Sequence, residues 1–410
     1  MSTAGMVILG AGECGACAAF ALRSNGYDGP VTLIGNESHL PYERPPLSKT
    51  TLVDGAGHKP VAPIEAYREA KIDVRLGVMV DSISLGDSHL SLSDGNRISF
   101  EKLLLATGAR PRRLPGSEFA HGRVKYLRTF DDAVDIRSSI GPVRRLAIIG
   151  AGFIGLELAA TARSLGCDVT VIEAQSRVLQ RGVPEAIAAV ISARHLQEGV
   201  VLRCGVGISS LIETETGVEI NLADGTEFTV DTVVVGIGAM PNTALAEAAG
   251  IDLDNGIAVD ETLSTSAPNV FAAGDCCSFP LPVYGGRRVR LEAWRNARDQ
   301  GALAARNMLG ANEVINSIPY FWSDQYDLTL QVAGLADGAA TTVRRDVDGD
   351  AFLLFHLNAD GVLVAASGIG RGLTVARDIK LAERLIASKV VPNPVALASP
   401  DVRLKTLLAG

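Results

Sequence analysis

GAGECG (Gly10–Gly15) and GAGFIG (Gly150–Gly155) are the two stretches on which the fold turns. Each follows an apolar run, MVIL at 6–9 and RRLAIIG at 144–150. Each opens a helix of small and apolar residues, ACAAFALRSN at 16–25 and LELAATARSLG at 156–166. Each then leads to another apolar run, VTLIG at 31–35 and DVTVIE at 168–173. One Gly-x-Gly-x-x-Gly loop is weak evidence, but two copies of the same strand, loop, helix and strand order form an internal repeat. In such a loop the first glycine (Gly10, Gly150) makes the tight turn, and the second (Gly12, Gly152) lets backbone approach a pyrophosphate. The third (Gly15, Gly155) lets the helix pack on the strand. Two loops imply two dinucleotides and an α/β chain with two Rossmann-like dinucleotide-binding domains.

The rest of the chain fits around these units. ISFEKLLLATGARPRRLPG (98–116) reads as a buried strand ending at Thr107 and Gly108, then a crossing marked by prolines; DTVVVGIGAMPN (231–242) repeats that pattern. From Pro319, short alternating stretches and a terminal helix, DIKLAERLIAS, predict a C-terminal α+β domain. The expected division is a discontinuous first domain over 1–113 and 238–318, a second over 114–237, and a third over 319–410.

Composition narrows the function. With 410 residues, 47% of them hydrophobic, the chain can bury a large core. A net charge of −8 argues against general nucleic-acid binding. The apolar start MSTAGMVILGAG has no basic n-region and is interrupted by glycines, so a cytoplasmic location is expected. Six cysteines (14, 17, 167, 204, 276 and 277) are scattered without an extracellular pattern. Cys14 and Cys17 form a Cys-x-x-Cys pair that overlaps the first glycine loop, where a helix N-terminus would favour either a phosphate or a thiolate. A loop that faces a pyrophosphate is remote from the redox-active ring of a dinucleotide, so the pair is expected to be packing. Cys276 and Cys277 are adjacent, too close for an ordinary disulfide. The six histidines (39, 58, 89, 121, 195 and 356) show no metal-ligand spacing, and no iron-sulfur cysteine run is present.

The acidic end of DVTVIE bears on the second dinucleotide. Glu173 lies 23 residues after Gly150, where a carboxylate can accept both ribose hydroxyls of NAD and repel a 2′-phosphate. NADH is expected, although Arg177 stands close enough in sequence to meet a phosphate. In the first unit the corresponding contact falls to Asn36 or Glu37.

LPYERPPLSK (40–49), LLLATGARPR (103–112), GAGFIGLELAA (150–160), VFAAGDC (270–276) and YFWSDQYDL (320–328) together resemble the FAD-dependent ferredoxin reductases. These belong to the glutathione-reductase-like superfamily and serve bacterial Rieske-type aromatic-ring dioxygenases and cytochromes P450. The resemblance runs nearly end to end. It implies FAD in the first domain, NADH in the second, and electron transfer to a small acidic [2Fe-2S] ferredoxin that feeds an oxygenase. It implies that Lys49 lies near the flavin N5 edge with Glu157 as its counter-ion, the two acting as electronic and positioning residues rather than as a general base. Arg44, Thr107, Gly108, Arg128, Asp275, Glu292, Trp294 and Trp322 would contact FAD, with Gln300 closing the flavin pocket, and Gly238 would border NAD. The His-x-x-x-x-Glu dyad and the paired cysteines of disulfide reductases are missing, so disulfide reduction is disfavoured; with no iron-sulfur cysteine run in the chain, the iron is expected on a partner. A local basic surface, with Lys380, Arg384, Lys389 and Arg306 as candidates, would dock it. Two other readings stay open on this scaffold: an NADH oxidase or a rubredoxin- or nitrite-reductase-type flavoprotein, and a redox-sensing flavoprotein. Monomer and homodimer are both compatible with the sequence.

Overall fold

Residues 4–55, 57–115 and 119–409 are described in the computed structural model. They pack as two units. The first draws on Met1–Glu43, Lys59–Arg110 and Met240–Tyr320; the second on Arg44–His58, Pro111–Ala239 and Phe321–Gly410. The Arg44–His58 segment, which sequence assigns to the first domain, thus groups with the second unit, as does the C-terminal sheet.

In the first unit a parallel core runs in the order Ile72–Arg75, Val31–Ile34, Gly5–Leu9, Arg97–Leu105 and Val270–Ala272. Strand Gly5–Leu9 is buried along its whole length, as befits a central strand covered on both faces. The long strand Arg97–Leu105 serves two purposes. Its C-terminal part pairs in parallel with Gly5–Leu9, and its N-terminal part closes an antiparallel meander with His89–Leu92 and Val80–Ser84. Helix Glu13–Ser24 begins three residues earlier than the hydrophobic run predicts, because Gly12 takes extended angles and the helix starts inside the loop.

The second unit repeats the plan. Val201–Cys204, Asp168–Glu173, Arg145–Ile149, Thr232–Val235 and Val124–Tyr126 form an all-parallel sheet in that order. A separate meander, Ile208–Glu213, Val218–Leu222 and Glu227–Val230, packs against it. Thr232–Val235 is buried at every position, and each of its valines contributes about 1.5–3 kcal/mol of burial. This unit also holds the C-terminal antiparallel sheet, ordered Tyr320–Gln325, Leu328–Gly334, Leu363–Arg371, Ala351–Leu357 and Thr341–Asp348. Helix Ala376–Ala387 covers that sheet through Ile379, Ala382, Leu385 and Ile386. Parallel repeats with an antiparallel third element match the α/β class expected from the sequence.

Candidate active site

The two glycine loops have the same local construction. Gly10 has φ +121°, and a Cβ there would lie 2.0 Å from the Ala106 carbonyl oxygen; Gly150 has φ +103°, with the Gly236 oxygen 2.4 Å away. Only glycine permits both the angle and the close approach. A Cβ on Gly15 or Gly155 would collide with the oxygen of Gly10 or Gly150, at 2.0 and 2.1 Å, so the helix starts against the loop. Gly12 and Gly152, in contrast, face open space, and neither helix they introduce has a side-chain N-cap. First-turn amides without side-chain acceptors at an open approach suit an anion such as a pyrophosphate.

Further residues of the first unit gather in sequence-distant pairs. Thr107 Oγ1 donates to the Asn242 oxygen at 2.7 Å, Asn242 Nδ2 donates to the Thr107 oxygen at 2.9 Å, and the Asn242 amide donates to the Gly108 oxygen at 2.9 Å. Asp275 sits half-buried in the turn Gly274–Cys276. Gly274 N donates to Gln300 Oε1 at 2.8 Å, while Gln300 Nε2, on a side chain 1% exposed, has no acceptor among the described residues. A buried amide donor without a partner fits a site completed by a ligand oxygen. Glu292 accepts from Arg290, and Trp294 is the first residue of the helix Trp294–Met308, under the Arg298 guanidinium at 5.5 Å. At the end of the second strand Asn36 is exposed, and Glu37 accepts from the Tyr42 hydroxyl at 2.6 Å.

The cysteines in the first loop lack the features of a redox dithiol. Cys14 is buried between glycine contacts: a Cβ on Gly301 would lie 2.2 Å from its carbonyl oxygen and one on Gly274 3.2 Å from its Cβ. Burial pushes its thiol well above the usual range and pushes that of Cys17 up to about 12. Both therefore stay protonated and unreactive at neutral pH.

In the second unit the Lys49 and Glu157 pair forms directly. Lys49 Nζ lies 2.9 Å from Glu157 Oε1, with Lys49 22% and Glu157 4% exposed. Glu157 projects from helix Phe153–Ser164, which the second glycine loop starts, and Lys49 follows the short turn Pro45–Ser48. Two residues that sequence reasoning did not single out complete the carboxylate's shell. The Ser323 hydroxyl donates to Oε1 at 2.7 Å, and the Ser48 hydroxyl donates to Oε2 at 2.5 Å. Thr161, one turn along the same helix, donates to the Ser48 carbonyl at 2.8 Å and fixes that backbone. A buried carboxylate with one cation and two hydroxyls has its charge compensated and its orientation fixed. The only sequence signal for Ser323 is its place in the FWSDQ run; Ser48 precedes Lys49 in PPLSK.

Elsewhere in this unit Arg44 donates to the Arg128 carbonyl, and Arg128 N donates to Asp132 at 2.9 Å. Trp322 lies half-buried in strand Tyr320–Gln325. Glu173, at the end of its strand, accepts from the amides of Ala151 and Gln175, both at 2.8 Å, and so sits directly against the second glycine loop. Arg177 donates to the carbonyls of Val178, Gln180 and Val183 at 3.0–3.3 Å. Gly238 has φ +105° and accepts from Arg112 N at 2.9 Å. Among the described residues no cluster of metal-ligating side chains occurs, and no helix is long and apolar enough to cross a membrane.

Comparison with known proteins covers the entire chain. Residues 5–301 match the pyridine nucleotide-disulphide oxidoreductase family, and residues 320–408 match the reductase C-terminal family. The chain is 42% identical to the anthranilate 1,2-dioxygenase system ferredoxin-NAD(+) reductase component of Burkholderia cepacia, over 100% of both chains. It is 38% identical to the corresponding component of the p-cumate 2,3-dioxygenase system of Pseudomonas putida, over 98% of this chain and 97% of that one. Among solved structures, the covalent putidaredoxin reductase-putidaredoxin complex superposes with a TM-score of 0.93 at 32% identity, over 100% of this chain and 99% of that chain.

Proposed function

The chain belongs to the pyridine nucleotide-disulphide oxidoreductase family, in its branch of ferredoxin-NAD(+) reductases of dioxygenase and cytochrome P450 systems, and from that premise we propose that it passes electrons from NADH through FAD to a small [2Fe-2S] ferredoxin. The observation that carries the reading is the pairing of half-buried Lys49 with buried Glu157, on the helix started by the second of two open, uncapped glycine loops.

FAD, when bound, supplies the conversion of a two-electron donor into one-electron transfers. The residues proposed to hold it are Gly10, Gly12 and Gly15 at the pyrophosphate, with Asn36, Glu37, Arg44, Thr107, Gly108, Arg128, Asp275, Glu292, Trp294, Gln300 and Trp322 along the rest. Lys49 contributes a fixed positive charge that favours an electron-rich ring, and Glu157, held by Ser48 and Ser323, keeps that ammonium in one position. Anaerobic NADH-dependent reduction of a [2Fe-2S] ferredoxin, followed at the cluster's absorbance, tests the function. Rapid reduction with little oxygen uptake by the reductase alone is expected. Fast oxygen consumption with no ferredoxin reduction across several ferredoxins would move the function to an oxidase.

Gly150, Gly152, Gly155, Glu173 and Gly238 are the residues proposed to hold the nicotinamide dinucleotide, and Glu173 supports NADH over NADPH. Glu173 keeps lone pairs on both oxygens for ribose hydroxyls, and a 2′-phosphate would meet its charge. A like-charge encounter of this kind predicts a kcat/KM for NADH about a hundredfold above that for NADPH. Arg177→Ala should leave this ratio within about threefold, because its guanidinium is already engaged by loop carbonyls. A collapse of NADPH use in that variant alone would reverse the assignment.

For the ferredoxin surface, Lys380 and Arg384 lie exposed one turn apart on helix Ala376–Ala387, with Lys389 exposed just beyond it. Arg306 is bonded to Glu313 at 2.8 Å and contributes less free charge. Raising ionic strength shortens the Debye length to about 8 Å at 0.15 M and should slow ferredoxin reduction several-fold while NADH-driven flavin bleaching stays constant. Stopped-flow traces of both steps across a salt series measure this; an equal response of the two steps contradicts the patch.

A further inference from the structure

Behind Glu157 runs a continuous line of buried side chains. Ser323 Oγ accepts from Gln325 Nε2 at 3.1 Å, and Gln325 Oε1 lies 2.9 Å from His195 Nε2. His195 Nδ1 in turn lies 3.4 Å from the Tyr326 hydroxyl. His195 is wholly buried, Gln325 is 3% exposed and Ser323 1%. These residues come from helix Glu185–Gln197 and from the tip and one arm of the hairpin that begins at Tyr320.

The chemistry of the carboxylate sets the direction of every bond in this line. A carboxylate only accepts, so Ser323 donates to Glu157 and its oxygen is left to accept from Gln325. The Gln325 amide therefore turns its carbonyl oxygen to His195, which must donate from Nε2. That leaves Nδ1 as the ring's acceptor, facing the Tyr326 hydroxyl. Burial pushes the His195 pKa down, which keeps the ring neutral and in need of one tautomer. The hairpin tip is independently anchored to the same helix. Tyr326 adopts φ +55°, a cost for a bulky residue, and its ring packs against His195 and under the Arg194 guanidinium at 4.8 Å; Arg194 also binds Asp327 at 2.8 Å.

We propose that His195 and Gln325 are positioning residues for Glu157: through Ser323 they fix a donor on Oε1, the oxygen that also binds Lys49. Ser48 holds Oε2 separately, so without the Ser323 donor Oε1 is bound by the mobile Lys49 ammonium alone, and the two side chains can shift together. The inference rests on the reading of Glu157 and Lys49 given above, and two kinds of readout separate its failure from the failure of that reading.

The first readout needs no turnover. In the FAD-loaded protein with 15N-labelled histidine, the His195 signal, identified by its loss in His195→Gln, is expected as the Nε2–H tautomer. In Ser323→Ala the Gln325 amide loses its acceptor and is free to flip, so the Nδ1–H tautomer should appear. An unchanged tautomer in Ser323→Ala overturns the chain of bonds. The second readout is kinetic. His195→Leu should lower kcat for NADH-dependent ferredoxin reduction about fivefold, in keeping with one lost neutral hydrogen bond, with KM for NADH changed less than about twofold. His195→Gln, whose amide can still donate toward Gln325, should recover most of kcat, which also controls for misfolding. Full activity in His195→Leu beside an impaired Glu157→Gln overturns the positioning role. Full activity in Glu157→Gln overturns the assignment of Glu157 instead, and the tautomer shift by itself then decides whether the chain of bonds exists.

Discussion

Lys49→Met is expected to slow NADH-driven flavin bleaching by about a hundredfold, the range in which loss of one preorganised electrostatic partner falls. The side chain keeps nearly the same length and loses only its charge. Glu157 then keeps two hydroxyl donors but no cation, in a position 4% exposed. The defect should therefore appear both in the rate and in the flavin midpoint potential, which moves negative because the reduced ring loses a nearby positive charge. Lys49→Arg retains charge but presents a planar fork in place of a point ammonium, and should recover only part of the rate. Stopped-flow bleaching of the flavin's visible absorbance, with a spectroelectrochemical titration, gives both values. A rate within about twofold of the parent would remove Lys49 from the electron-transfer machinery.

The largest loss of stability is expected from Arg345→Met. Arg345 is 5% exposed and donates to the carbonyls of Leu397, Ser399, Pro400 and Val402 at 2.7–3.3 Å. Its Nε lies 3.6 Å from Asp378. One guanidinium thus supplies donors to the end of helix Pro394–Ala398 and to the segment that follows it, where the carbonyls have left the helical ladder. Methionine fills much of the volume but leaves these oxygens and the Asp378 carboxylate without that donor. Breaking such a buried charged network costs about 3–5 kcal/mol. The expected results are a lower Tm and fast amide exchange over 394–404, with the glycine loops protected as before. An unchanged Tm would mean that water replaces the guanidinium at little cost.

Much of this is legible in the sequence because it is local. The glycine loops carry their own strand, turn and helix, and Glu157 stands out as a lone carboxylate in the apolar run LELAA. Glu173 is identified by counting from Gly150. What is not legible depends on long-range packing. Ser48 and Ser323 reach Glu157 across 109 and 166 residues of chain, and serine has no periodic signature that marks it as a carboxylate partner. His195 has no partner within the pattern of its own helix, EAIAAVISARHLQ, until Gln325 is seen beside it. The meander over 208–230 is hidden by an alternation that is half-exposed. Arg177 is the reverse case: its position in sequence suggests a phosphate contact, and only the structure shows its bonds to three nearby carbonyls.

The path of the chain through its first sheet has a consequence for biosynthesis. Strand Arg97–Leu105 gains its outer parallel neighbour, Val270–Ala272, only after more than a hundred further residues have been made, among them every strand of the second parallel sheet. During translation that second sheet can close from a continuous stretch while the first waits with an open hydrogen-bonding edge. The nascent chain therefore has a defined interval of exposure to strand-pairing errors and to holdase chaperones, which ends once Val270–Ala272 leaves the ribosome. Truncations that stop short of residue 270 should aggregate, even though they contain an intact first glycine loop and its helix.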